Sequence, residues 1–217
     1  MQSVNSASPS ILLASRSPRR LELTQRIGFS PVVRVSAVEE VRAPGEEPVA
    51  YARRLALAKA RAVAEDVKGT DLPRWILSAD TIVVHGKEVL EKPEDEADAR
   101  QMLSRLSGEE HEVITAFCWL WRGSKESPEQ KEAVRDVSAR VWMREFTAET
   151  IARYVATGEP MDKAGSYGIQ DVGSALVRRI EGSYFCVVGL PVCEVIETLD
   201  ELGGLGPYPF LVNSEKR

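Results

Sequence analysis

The sequence predicts a mixed α/β fold: a sheet containing parallel and antiparallel strands, with flanking helices. Three observations lead there. Apolar runs of strand length alternate irregularly with helical stretches, unlike the strict repeat of a doubly wound parallel sheet. Apolar residues on both sides of His85-Gly86-Lys87 give a hairpin signal, which requires an antiparallel pair. Two longer apolar segments, Val113 to Trp121 and Val134 to Met143, are joined by the polar linker Arg122 to Glu129, read as a surface loop.

Taken in order, Ile11 to Ala14 reads as a buried strand, followed by a Ser-Arg-Ser-Pro turn and a helix carrying Leu21, Leu23 and Ile27 before Gly28. Pro31 to Val35 suggests a second strand. Pro48 to Glu65 places Val49, Ala52, Leu55, Ala56, Ala60 and Val63 at helical spacing and predicts a long amphipathic helix. Trp75 to Ala79 and Ile82 to Val84 read as strand, with Glu88 to Leu90 returning. Asp95 to Leu106 is a helix with acidic residues in its first turn and Gly108 past its end. Thr147 caps a helix through Val155, and Gly158 to Gly173 is a glycine-rich, irregular stretch of the kind that carries function. Ala175 to Ile180 and Phe185 to Val188 predict a last strand pair, and Pro191 opens a final helix through Leu202.

With 217 residues, 43% of them hydrophobic, the chain is long enough for one large core. The expectation is a single domain over residues 11–203, a loose N-terminal extension at 1–10 and a weakly ordered tail at 204–217. A net charge of −5 opposes sequence-independent binding to nucleic acid, and no apolar stretch approaches the roughly 18 residues of a membrane helix. The start lacks the basic and then apolar run of a secretory signal. Cys118, Cys186 and Cys193 form an odd set without metal-ligand spacing and read as structural, consistent with a soluble protein in a reducing cytoplasm. His85 and His111 lack metal-spaced partners and read as turn or surface residues.

Three places stand out chemically. In Ser15-Arg16-Ser17-Pro18-Arg19-Arg20, Ser17 is placed to cap a helix and Pro18 to open it, leaving N–H groups and the positive dipole end for an anion. Arg19 and Arg20 are unfavourable at that end unless something negative binds; the plain alternative is an ordinary cap with solvated arginines. Asp80 interrupts an apolar strand, where Asp is disfavoured. With a turn at His85-Gly86-Lys87, pairing would set Asp80 opposite Lys92, or Glu91 in another register, so that three charges converge. Such a group holds a divalent metal, takes a proton from water, does both, or is a structural salt bridge. Third, Asp162 to Gln170 contains small residues that let the backbone approach a ligand, and Gln170 offers a donor and an acceptor to a base edge.

Ser15 to Arg20, Ser78-Ala79-Asp80-Thr81-Ile82-Val83, Glu91-Lys92-Pro93, Asp162-Lys163-Ala164-Gly165, Tyr167-Gly168-Ile169-Gln170 and Val188-Gly189-Leu190-Pro191 together resemble the Maf family of nucleotide pyrophosphatases, in the same order and over nearly the whole chain. The resemblance implies an elongated mixed sheet with two lobes around a cleft, similar to the inosine triphosphate pyrophosphatases, and cleavage of a nucleoside triphosphate to monophosphate and pyrophosphate. It also implies a homodimer and a divalent cation, Mg²⁺ or Mn²⁺. On the family pattern Asp80 is the proton acceptor and, with Glu40, a metal ligand. Ser15, Arg19, Lys59 and Lys92 surround the phosphates, while Arg20, Thr81 and Gln170 resemble the subgroup acting on dTTP and UTP. Arg16 departs from the small residue of many members, and the linker at 122–131 is longer than usual. Two other readings stay open: the same reaction on a modified purine or other non-standard nucleotide, and a nucleotide-binding regulator of cell division with little turnover.

Overall fold

A computed structural model describes residues 8–124, 129–206 and 208. Most of the expected N-terminal extension and C-terminal tail, and residues 125–128 of the polar linker, lie outside the described residues.

Strand β1 (Ser10–Leu13) leads into α1 (Pro18–Arg26), β2 (Ser30–Val33) and the long α2 (Pro48–Asp66). Then come β3 (Trp75–His85), β4 (Glu88–Leu90), α3 (Glu96–Leu106), β5 (Glu110–Trp121), β6 (Lys131–Met143) and α4 (Ala148–Val155). Three short 3-10 turns follow, then β7 (Val177–Gly182), α5 (Tyr184–Val188) and α6 (Val192–Glu201). The sheet order is β2-β1-β3-β5-β6-β7, with β4 also paired to β3. Pairing of β1 with β2 and β3 is parallel and the rest antiparallel, so the sheet is mixed, as the irregular alternation predicts. No helix among the described residues is long and apolar enough to cross a membrane.

The long strand β3 positions the site. On one edge it pairs continuously with β5; on the other, β1 covers it at Ile76 and Leu77 and β4 at Val83 to His85. Between those two partners the sheet forks, and Asp80 and Thr81 lie in the fork. Because successive strand side chains point to opposite faces, the two face different layers. Ile76, Ile82 and Val84 pack with α2 residues Tyr51, Leu55, Ala56 and Ala60, and Ser78 Oγ donates to Ala56 O at 2.6 Å on that side. Leu77 and Ala79 pack on the other face with Leu23 of α1 and Val195 and Leu199 of α6. Farther along that face, Val83 joins Leu103 and Leu106 of α3 and Ile151 of α4. Asp80 therefore belongs with α2, and Thr81 with α1 and α5.

The hairpin differs from the expected register. His85 pairs with Glu88 across a two-residue turn, β4 ends at Leu90, and Asp80 stands opposite Ala116 of β5 rather than Lys92 or Glu91. The apolar run Phe185 to Val188 is also not a strand. Ser183 Oγ accepts from Cys186 N at 3.3 Å, an N-cap, and Gly189 ends the turn at φ +113, where a side chain would be strained. Those capping signals outweigh a short apolar run that periodicity cannot classify. The partner of β7 is β6. Cys118 and Cys186 are buried and Cys193 is exposed.

Candidate active site

A cleft of about 840 Å³ opens at the fork and brings together Ser15, Arg19, Arg20, Glu40, Lys59, Asp80, Thr81, Lys92 and Gln170, the residues that the family pattern assigns to phosphate, metal and base. Arg16 lies exposed on the same rim.

One wall is ionic. Lys59 on α2 and Asp80 on β3 are 7% and 5% exposed, and Lys59 Nζ lies 2.7 Å from Asp80 Oδ1 and 2.6 Å from Glu40 Oε1. Lys92, much more exposed, approaches Glu40 Oε2 at 3.7 Å. The charges that gather at Asp80 are Lys59 from the long helix and Glu40, in place of the Lys92 and Glu91 that the hairpin reading set beside it. Glu91 instead accepts from Tyr51 Oη at 2.7 Å. Burial alone would raise the Glu40 carboxyl; the hydrogen bond and charge of Lys59, with Lys92 and Arg20, hold it below its ordinary value. Glu40 sits on the segment between β2 and α2, which is tied down where Arg54 of α2 pairs with Glu46 at 2.6 Å and donates to Val41 O at 2.9 Å.

The opposite wall is built of neutral hydrogen bonds around Arg20, with the Arg19–Asp162 ion pair beside them. At the start of α1, Ser17 Oγ accepts from Arg20 N at 3.4 Å with Pro18 in the first helical turn, the predicted cap. Both arginines have partners, though the Arg19 side chain stays 26% exposed. Arg19 reaches Asp162 at 3.5 Å. Arg20 donates from Nε to Gly189 O at 2.8 Å, from Nη1 to Ser15 Oγ at 3.3 Å and from Nη2 to Thr81 Oγ1 at 2.9 Å. Three of its five N–H groups are thereby used, leaving two for a ligand. Thr81 Oγ1 lies 2.8 Å from Thr115 Oγ1, and Thr115 Oγ1 donates to Cys186 O at 2.8 Å. Since the single Thr115 proton goes to Cys186, Thr81 is the donor in the threonine pair, and the chain runs in one direction from Arg20 to α5. Burial lowers the Arg20 guanidinium from its ordinary value, while the negative charge of Asp80 works against that shift.

Gln170 enters from the irregular segment after α4, and its Oε1 is buried without a hydrogen-bond partner among the described residues. Behind that segment stands His111, which is not on the surface as expected. The alternation of β5 turns it inward, 3% exposed, with Nε2 2.7 Å from Tyr167 Oη. Burial, with His85 nearby, pushes its pKa down to about 4.

Sequence reasoning missed Thr115, Tyr154 and Glu159, and read His111 as a turn or surface residue. Thr115 is identified only by strand register, as the residue opposite Thr81. Tyr154, just before the glycine-rich stretch, and Glu159, inside it, carried no local signal beyond that position.

The chain was also compared with known proteins. The family model described as Maf-like protein matches residues 10–202. The dTTP/UTP pyrophosphatase of Citrifermentans bemidjiense is 46% identical over 198 residues, covering 91% of this chain and 97% of that protein. A dTTP/UTP pyrophosphatase of Geobacter sp. strain M21 is 48% identical with the same coverage. A solved nucleoside-triphosphatase / dITP/XTP pyrophosphatase from Mycobacterium abscessus overlaps 63% of this chain and 75% of its own, at 22% identity and a TM-score of 0.38. With a family match spanning most of its length and relatives of this identity, the chain belongs to the Maf family.

Proposed function

We propose that the chain hydrolyses nucleoside triphosphates, with dTTP and UTP preferred, to the nucleoside monophosphate and pyrophosphate. One observation carries the reading: Asp80 sits in the fork of the sheet beside Lys59, next to Thr81 in the Arg20 network, so that a proton acceptor and a recognition surface meet in one cleft. The names of the relatives at 46% and 48% identity support it. A regulator with little turnover would not need a buried carboxylate so placed, and the relatives are named for hydrolysis.

In this reading the triphosphate lies between the ionic wall and the start of α1. Arg19, Lys92 and the N–H groups at the start of α1 offset its charge. Water attacks the α-phosphorus, the bond to the bridging oxygen breaks, and pyrophosphate leaves. Asp80 receives the water proton on Oδ2, while Lys59 holds Oδ1 and fixes the carboxylate plane.

The donor set suits a divalent cation. Among the described residues no group of three or more His, Cys, Asp or Glu side chains could hold a metal, but Glu40 and Asp80 both contact the same Lys59 nitrogen and therefore face one volume. Two carboxylates are what Mg²⁺ takes from a protein when phosphate oxygens and water supply the rest. When bound there, the cation would neutralise phosphate charge and polarise the phosphoryl oxygens.

Base choice falls to Arg20, Thr81 and Gln170. Thymine and uracil present a ring N–H flanked by carbonyls, where cytosine presents a bare acceptor. A buried amide oxygen lacking a donor favours the former. A cytoplasmic setting and a homodimer belong to the same proposal, the latter checked by light scattering.

The deciding experiment is a nucleotide panel with Mg²⁺ or Mn²⁺ and separate detection of pyrophosphate and inorganic phosphate. Pyrophosphate with monophosphate from dTTP and UTP is expected. Release of inorganic phosphate, or preference for a modified purine, would overturn the reaction or the substrate assignment respectively.

A further inference from the structure

The segment that delivers Gln170 makes only short 3-10 turns, at Glu159–Asp162, Ala164–Ser166 and Val172–Leu176, and none contains Gln170. Something else must hold that side chain at a fixed point on the cleft wall, because an amide displaced by about 1 Å cannot discriminate between base edges.

Two side chains outside the cleft do this. The Glu159 carboxylate accepts from Gly173 N on Oε1 and from Val172 N on Oε2, both at 3.0 Å, and Oε1 also accepts from Tyr154 Oη at 2.8 Å. Tyr154 Oη in turn accepts from Gly168 N at 3.0 Å. Gln170 thus lies two residues from a pinned amide on either side. The two flanks press together closely: a Cβ at residue 173 would collide with Tyr154 Oη and the Gly168 carbonyl. Glu159 has no side-chain ion pair among the described residues, so its charge is committed to three neutral donors. That arrangement fixes geometry rather than balancing charge.

We propose that Glu159, acting with Tyr154, is the positioning residue that sets where Gln170 meets the base, and so determines discrimination between imide bases and cytosine. The inference rests on the dTTP/UTP reading above. Neither residue touches substrate; both act through Gln170.

The test measures kcat and KM for dTTP and dCTP, by pyrophosphate release, in wild type, Glu159→Gln, Tyr154→Phe, Gln170→Ala and the Glu159→Gln/Gln170→Ala double variant, together with melting temperatures. Glu159→Gln replaces one acceptor oxygen with a donor facing N–H groups. Tyr154→Phe removes a single hydroxyl and is the milder control should the first variant fold poorly. The dTTP to dCTP ratio of kcat/KM is expected to fall about five- to tenfold in both, mainly through KM for dTTP, with kcat within about twofold. In the Gln170→Ala background the Glu159 change should cost no further discrimination. An unchanged ratio in Tyr154→Phe, additive losses in the double variant, or kcat falling equally for both nucleotides would each overturn the proposal. A wild type that hydrolyses both nucleotides equally would defeat the base assignment itself, and this inference with it.

Discussion

Asp80 and Thr81 are neighbours on β3, yet Asp80 meets a lysine and a second carboxylate while Thr81 joins a directed chain of neutral hydrogen bonds. On the α2 side, charges compensate one another over short distances, an arrangement that can exchange its partners when phosphate arrives. On the α1 and α5 side, the Ser15, Thr81 and Thr115 oxygens and the Gly189 and Cys186 carbonyls are already engaged, so that beside the phosphate-facing Arg19 and α1 N–H groups two Arg20 N–H groups and the Gln170 amide are left for the base. The strand's two-residue period separates the reacting wall from the reading wall with no intervening structure. Changes on one side should therefore alter turnover without altering base choice, and changes on the other side the reverse.

The sharpest test of that separation is Asp80→Asn. The variant keeps the shape and a hydrogen bond to Lys59 but cannot take the proton, so kcat should fall by about three orders of magnitude. The dTTP to dCTP ratio of the residual activity should stay within about twofold. A shifted ratio would mean the walls are not independent.

Acid probes the second wall through its backing. His111 is buried behind Tyr167, and its Nδ1 has no hydrogen-bond partner among the described residues, so it is held neutral with its pKa pushed from an ordinary 6.5 to about 4. Between those values the unfolded chain binds a proton that the folded chain refuses, so stability falls as pH drops through this window, by on the order of 3 kcal/mol in total. Melting temperatures from pH 7 to 4 should show the fall, and His111→Gln should flatten it. Glu40, held below its ordinary 4.5, adds a loss that begins near that value and continues at more acid pH. Equal slopes in wild type and variant would remove His111 from the account.

Arg20→Lys asks how much of base choice depends on three fixed acceptors. An ammonium cannot span Gly189 O, Ser15 Oγ and Thr81 Oγ1 on three different segments as the guanidinium fork does. Discrimination should drop between about ten- and a hundredfold, with kcat less affected. Nucleotide competition assays would separate lost binding from lost selectivity.

Much of this division was legible in the sequence, for reasons that differ by residue. The Ser17 cap and Pro18 fix the start of α1 locally, and Asp80 announced itself as a charge in an apolar strand. The fork, by contrast, depends on where β1 and β4 leave β3, and the hairpin expectation misplaced Asp80's neighbours because β4 ends at Leu90, before the pairing reaches Asp80. Lys59 sits twenty-one residues upstream on a helix, so nothing local links it to Asp80. α5 was misread because four apolar residues have no resolvable period, although Ser183 and Gly189 bracketed them with caps. Tyr154, Glu159 and His111 act through a loop whose conformation no short-range rule specifies.

The smallest expected effect sharpens the comparison most finely. Thr115→Val keeps the volume and β-propensity but removes the hydroxyl that receives the Thr81 proton and donates to Cys186 O. Two buried polar groups then lose a partner, at a cost of about 1 kcal/mol each. Thr81 is freed to rotate, and α5 loses one of the links that hold Gly189 O against Arg20. The dTTP to dCTP ratio should fall a few-fold, while kcat stays near wild type because Asp80, opposite the small Ala116, faces the other layer. If kcat fell and the ratio held, the threonine chain would serve the reacting wall, and the separation along β3 would have to be redrawn.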